Sequence, residues 1–119
     1  MSQILAVAIG GAIGALARFF IVKLVFRPEF PLGTMVVNLT SAFLIGVLFG
    51  IFGESMNSFQ RSLFVSGLLG GYSTFSSLVY ECFSMILEGR LLIAIGYILA
   101  SNILGLVLVA FGYYLGKAL

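Results

Sequence analysis

Residues 33–52 run for about 20 amino acids without a single charge, and three further stretches are nearly as apolar. An α-helix rises 1.5 Å per residue, so such a run crosses the ~30 Å hydrocarbon core of a bilayer. The predicted spans cover residues 4–26, 33–52, 59–87 and 91–115. Arg18 and Lys23 interrupt the first one late. Arg27-Pro28-Glu29-Phe30-Pro31 ends it, because proline cannot continue the helical ladder. The polar stretch Gly53-Glu54-Ser55-Met56-Asn57-Ser58 separates the second and third spans, and Glu88-Gly89-Arg90 leads into the fourth. The expected fold is therefore all-α and integral to the membrane, a single four-helix domain over residues 1–119 without internal repeats.

Charge supports the same solvent. Six Lys/Arg and four Asp/Glu stand among 119 residues that are 61% hydrophobic, whereas a soluble domain carries about a quarter charged side chains. Ten charges cannot make a water-facing surface on this apolar mass, so most of the surface must meet lipid. A net charge of +2 is too small to suggest a nucleic-acid partner, there is no Lys/Arg cluster to make a basic patch, and no such partner is expected. Histidine is absent and Cys82 is the single cysteine, which rules out an internal disulfide or a Cys/His metal site within one chain. Cys82 reads as a small buried hydrophobe. The sequence has no paired carboxylates, no phosphate-cradling loop and no nucleophile with a base, so an enzyme is not expected. The first apolar stretch lacks the basic start and cleavage site of a signal peptide and reads as a retained helix.

Orientation follows the Lys/Arg balance of the loops. Lys23, Arg27 and Arg90 fall on one side, against Arg61, Lys117 and the amino terminus on the other. The near balance predicts a chain that inserts both ways up, so that two opposed copies pair.

Polar side chains inside a span require partners and mark either function or helix contacts. Gly10/Gly14, Gly46/Gly50, Gly67/Gly71 and Gly112/Gly116 are small-xxx-small pairs that let backbones approach closely, as packing devices. Thr34, Asn38 and Ser41 share one face of the second span by their spacing. The Asn38 amide has two donors suited to an anion, and serves equally as glue between helices. Tyr97, Ser101 and Gly105 recur every four residues on the fourth span, the first two placing hydroxyls in line. Asn102 projects from a neighbouring face, where it reads as interhelical glue. Arg18 and Glu81 are the charges nearest the membrane interior. Arg18 either snorkels to the interface or draws anions into a vestibule, and Glu81 is expected to pair with an arginine or a hydroxyl.

The most informative segment is Gly67-Leu68-Leu69-Gly70-Gly71-Tyr72-Ser73-Thr74-Phe75-Ser76-Ser77. Paired glycines and a string of hydroxyls midway through a span predict a break near residues 70–76. Unpaired backbone at that depth is tolerated only inside protein or along a cavity, where half-helix ends bind ions. The competing reading is a simple kink, with the hydroxyls bonded back to their own helix.

Together these residues resemble the small bacterial fluoride channels, the Fluc or CrcB-like family. The match is carried by Gly10-Gly11-Ala12-Ile13-Gly14-Ala15-Leu16-Ala17-Arg18, Gly33-Thr34-Met35-Val36-Val37-Asn38-Leu39, the glycine-hydroxyl segment through Ser76 with Glu81 following, and Tyr97 with Ser101. The resemblance implies an antiparallel dual-topology dimer in the bacterial cytoplasmic membrane that exports fluoride passively. Asn38, Phe75, Tyr97 and Ser101 become pore residues by this likeness, with Thr34 and Ser76 beside them and Arg18 and Glu81 at the vestibule. It also implies a structural sodium ion between the subunits, held by backbone carbonyls of Gly70 and Ser73 from each.

Two positions depart from the family pattern. Leu78 stands where a second phenylalanine is expected, and Gly105 where the fourth span has a third hydroxyl. They leave open a pairing with an unlike paralogous subunit, or one working pore per dimer. A non-transporting membrane assembly subunit, its interior polar residues all helix glue, is one further alternative, and a proton-coupled multidrug exporter of this size is another. That chemistry needs an acid embedded in the membrane, yet the first span has none and Glu81 stands in the third.

Overall fold

The computed structural model describes residues 1–119, and its helices are long and apolar enough to cross a membrane four times. Helix α1 is Ser2–Leu24 and α2 is Leu32–Phe52. The third span has two parts, α3 over residues 58–72 and α4, Phe75–Leu87. Helix α5 is Leu91–Ala118. The longest dimension, 47 Å, matches a bilayer with its headgroup regions, about 40–45 Å. Apolar side chains such as Leu92 and Leu106 stand exposed around the outside, as lipid contact requires.

Glycine decides which helices pair. A Cβ on Gly10 or Gly14 of α1 would overlap the carbonyls of Leu63 and Leu68 in α3. On the other side of the bundle, a Cβ on Gly46 or Gly50 of α2 would overlap the carbonyls of Val109 and Tyr113, and one on Gly112 that of Phe43. The small-xxx-small pairs therefore build two tight couples, α1 with α3 and α2 with α5, held by close backbone approach. A Gly46→Leu chain should fail to give a monodisperse species on size exclusion in detergent. Its side chain meets backbone that cannot yield, at a cost above about 3 kcal/mol.

Each connection has a local cause. Pro31 (φ −76°, ψ 62°) lies at the centre of an inverse γ-turn closed by the Leu32 amide on the Phe30 carbonyl at 2.8 Å. The Asn57–Gln60 capping box opens α3. A Schellman motif closes α4. Gly89 takes the left-handed conformation (φ 78°), its amide bonds Ile86, and the Arg90 amide reaches back to Met85 at 2.8 Å. Residues Arg61–Leu69 of α3 wind as a π-helix, a form that concentrates at functional sites and that the sequence did not signal.

Candidate functional site

The break falls at Ser73 and Thr74, both extended, between α3 and α4. Ser73 keeps the last bond of the first half, its amide donating to Leu69 at 3.0 Å, and its hydroxyl donates to the same carbonyl. In a continuous helix the Thr74 amide would bond the Gly70 carbonyl four residues back. Here it donates to Oδ1 of Asn38 at 2.7 Å, and Asn38 Nδ2 donates to the Thr74 carbonyl at 3.0 Å. Asn38 thus satisfies both backbone groups of Thr74 and leaves Gly70, which is exposed, without its helical donor. The Arg18 guanidinium holds the preceding carbonyl, that of Ser73, at 3.1 Å. Side chains from α1 and α2 hold the break open.

Beyond it the chain restarts cleanly. Thr74 is the N-cap of α4, accepting from the Ser77 amide at 3.2 Å. The Phe75 and Ser76 amides come next, at the positive end of the helix. Phe75 is 75% exposed and shares an outward apolar face with Ser76, Val79, Tyr80 and Phe83. Leu78 faces the other way, buried with Cys82, Met85, Ala94 and Tyr97. At Gly105 a Cβ would meet open space. The two positions that depart from the family pattern should respond oppositely. Leu78→Phe overpacks the core by about 1–3 kcal/mol, whereas Gly105→Ser is accommodated, as thermal unfolding in detergent would show.

A second polar cluster lies nearer the membrane surface. Glu81 Oε2 accepts from the Thr34 hydroxyl at 2.7 Å and Oε1 from the Tyr97 hydroxyl at 2.9 Å. Thr34 and Tyr97 are buried. Two O–H donors make a carboxylate tolerable at such a site, and both protons are committed to it. Tyr97 therefore points its donor at Glu81, while the buried Ser101 hydroxyl has no partner in the chain. Asn102, expected to join helices, bonds Ile98 of its own helix at 2.7 Å. A cleft of about 660 Å³ runs from Lys23 past Arg18 to Thr74, Thr34 and Glu81.

Reasoning from residues alone missed Thr74 as the pivot of the break. Its signal was present, a threonine ahead of an apolar helical run with a serine three residues on. Tyr72, whose hydroxyl lies 2.7 Å from that of Thr40, offered no pattern at all.

The fold and site define a small polytopic membrane protein with one discontinuous span, an architecture that presents backbone dipoles to ions inside the bilayer. The profile described as "CrcB-like protein, Camphor Resistance (CrcB)" matches residues 5–113, and the chain belongs to that family. It is 44% identical to the fluoride-specific ion channel FluC of Aquifex aeolicus (strain VF5) over 124 aligned residues, covering both chains completely. It is also 44% identical to the fluoride-specific ion channel FluC of Hydrogenobaculum sp. (strain Y04AAS1), covering 97% of this chain and 98% of the relative. The protein of the same description from Pyrococcus abyssi is 39% identical, with 92% and 91% covered.

Proposed function

We propose that this chain is the subunit of a fluoride-selective channel that lets fluoride leave the cytoplasm passively, in an antiparallel homodimer embedded as a multi-pass protein in the cytoplasmic membrane. The observation that carries the reading is the break at Ser73–Thr74, which brings free backbone donors and acceptors and an exposed aromatic ring to one place within the membrane. Fluoride is small and strongly hydrated. A path for it must replace water with fixed donors, and a narrow set of donors fits chloride poorly. In this reading the second Nδ2 proton of Asn38, the ring edge of Phe75 and the Ser76 and Ser101 hydroxyls supply contacts, since an aromatic edge is positive. Arg18 and Lys23 draw the anion into the cleft, while Thr34 and Tyr97 occupy both Glu81 oxygens with hydrogen bonds and hold them to one side.

The proposed central sodium fits the residues present. The exposed Gly70 carbonyl lacks its helical donor, and the Ser73 carbonyl, though bound by Arg18, retains a second lone pair. Two oxygens per chain are too few for a cation, so this site requires the second copy. Bound there, the ion would offset the negative ends of these carbonyls. No carboxylate, histidine or cysteine cluster competes for a metal.

Reconstitution of the purified chain in liposomes tests the reading, with fluoride efflux followed by electrode against a chloride control. Fast fluoride flux without chloride flux is the expected result. A folded chain that carries no fluoride alone, but does so with an unlike family member, would replace the homodimer by a pair of unlike subunits. Leu78 and Gly105 are the positions that favour that second reading.

A further inference from the structure

Arg90 lies outside every span, and the mechanism above makes no use of it. Its backbone is pinned from both sides, by the Schellman motif behind it and by the Ala94 amide, which donates to its carbonyl at 3.0 Å. From this fixed base the side chain crosses to the other loop on the same face of the membrane. Nη2 donates to the Glu29 carbonyl at 2.6 Å, and Nη1 to Glu88 at 3.3 Å. The second contact is an exposed ion pair of small value. The first joins two loops that are 61 residues apart in sequence.

The residue after Glu29 is Phe30, and it too is held. The inverse γ-turn at Pro31 fixes its carbonyl relative to the start of α2. Its ring meets Tyr97 edge-on, with centroids 5.0 Å apart, and packs against the buried group of Leu78, Cys82, Met85 and Ala94. Tyr97 in turn donates to Glu81. A cleft of about 290 Å³ opens between these elements, with Arg27, Glu29, Thr34, Glu81, Glu88 and Arg90 among its walls. The contacts form one chain from Arg90 through Glu29 and Phe30 to Tyr97 and Glu81.

We infer that Arg90 is a positioning residue of the fluoride path. By clamping the Glu29 carbonyl it seats Phe30 on Tyr97, and so holds the Tyr97–Glu81–Thr34 cluster at the inner wall of the cleft. The inference rests on the channel reading for its functional half, and its structural half stands apart from it. Lysine at position 90 keeps a charged donor but loses the planar fork that serves Glu29 and Glu88 together.

The test uses the full chain in liposomes and two readouts on wild type, Arg90→Ala, Arg90→Lys, Tyr97→Phe and the double variant Arg90→Ala/Tyr97→Phe. The first readout is the rate at which a small thiol reagent modifies Cys82, the single cysteine, buried in the group that Phe30 packs against. Loss of one charge-assisted bond should raise that rate about tenfold in Arg90→Ala, with Arg90→Lys in between. The second is fluoride flux as a function of fluoride concentration. Arg90→Ala should lower it by a similar factor, and the double variant should be no slower than Tyr97→Phe, because both changes act on one chain of contacts. An unchanged Cys82 rate in folded Arg90→Ala overturns the clamp. Faster labelling with unchanged flux, or with losses that add in the double variant, overturns its role in the path. Should Arg90→Ala fail to fold, a folded Arg90→Lys with wild-type labelling and flux overturns it equally. Wild-type protein that carries no fluoride defeats the channel reading, and with it the functional half, while the labelling still decides the clamp.

Discussion

Replacing Asn38 with leucine should close the break in the third span and reduce fluoride flux by at least about 100-fold. The leucine leaves the Thr74 amide without a partner at a part-buried position, at about 1–3 kcal/mol, and removes the second donor to the Thr74 carbonyl, whose other bond is that of the α4 N-cap. The backbone recovers most of this by returning the Thr74 amide to the Gly70 carbonyl, which straightens the span and removes the free carbonyl. Flux measured in liposomes, beside the oligomeric state in detergent, checks the result. Asn38→Asp separates the two roles of the amide. It keeps an acceptor for the Thr74 amide but turns a second oxygen toward the Thr74 carbonyl, so it too should lose flux. Wild-type flux from either variant would make Asn38 plain interhelical glue.

The second large effect is expected at Phe75. Its ring is exposed and takes no part in the chain's own core, so Phe75→Ile removes little that holds the subunit together. What disappears is the positive ring edge that the proposed path would present to the anion. Its loss should slow fluoride by about 10- to 100-fold. Dimerisation should survive, and crosslinking or native mass spectrometry would show it. A variant that no longer dimerises would mark Phe75 as a packing residue of the interface.

The span count was legible because lipid leaves a chain few choices. A backbone without water must bond to itself, so length and apolarity alone predict helices. Span ends were less legible. The first helix stops at Leu24 rather than continuing toward residue 26, and the fourth extends to Ala118. Basic residues near a membrane surface sit as readily in a last helical turn as beyond it, and Lys117 does so here. The glycine-hydroxyl segment announced a break, and Asn38, Arg18, Thr34 and Glu81 were all marked as polar groups needing partners.

Their partners were not legible. Asn38 bonds a backbone 36 residues away, Arg18 one 55 away, and Thr34 a carboxylate 47 away. No periodicity within one helix encodes such distances. They follow from the glycine-lined couples, which fix how far each helix slides along its neighbour, and so which residues share a depth in the membrane.

The sequence by itself determined the solvent, the number of helices, the place where the third must fail and the family that shares these features, because each is a property of neighbours along the chain. Only the tertiary structure decided that Asn38 and Arg18 hold that failure open, that Glu81 is answered by two hydroxyls, and that Leu78 turns inward while Phe75 turns out. Those outcomes depend on which donor lies within 3 Å of which acceptor once the helices are packed. Packing between distant segments sets such distances.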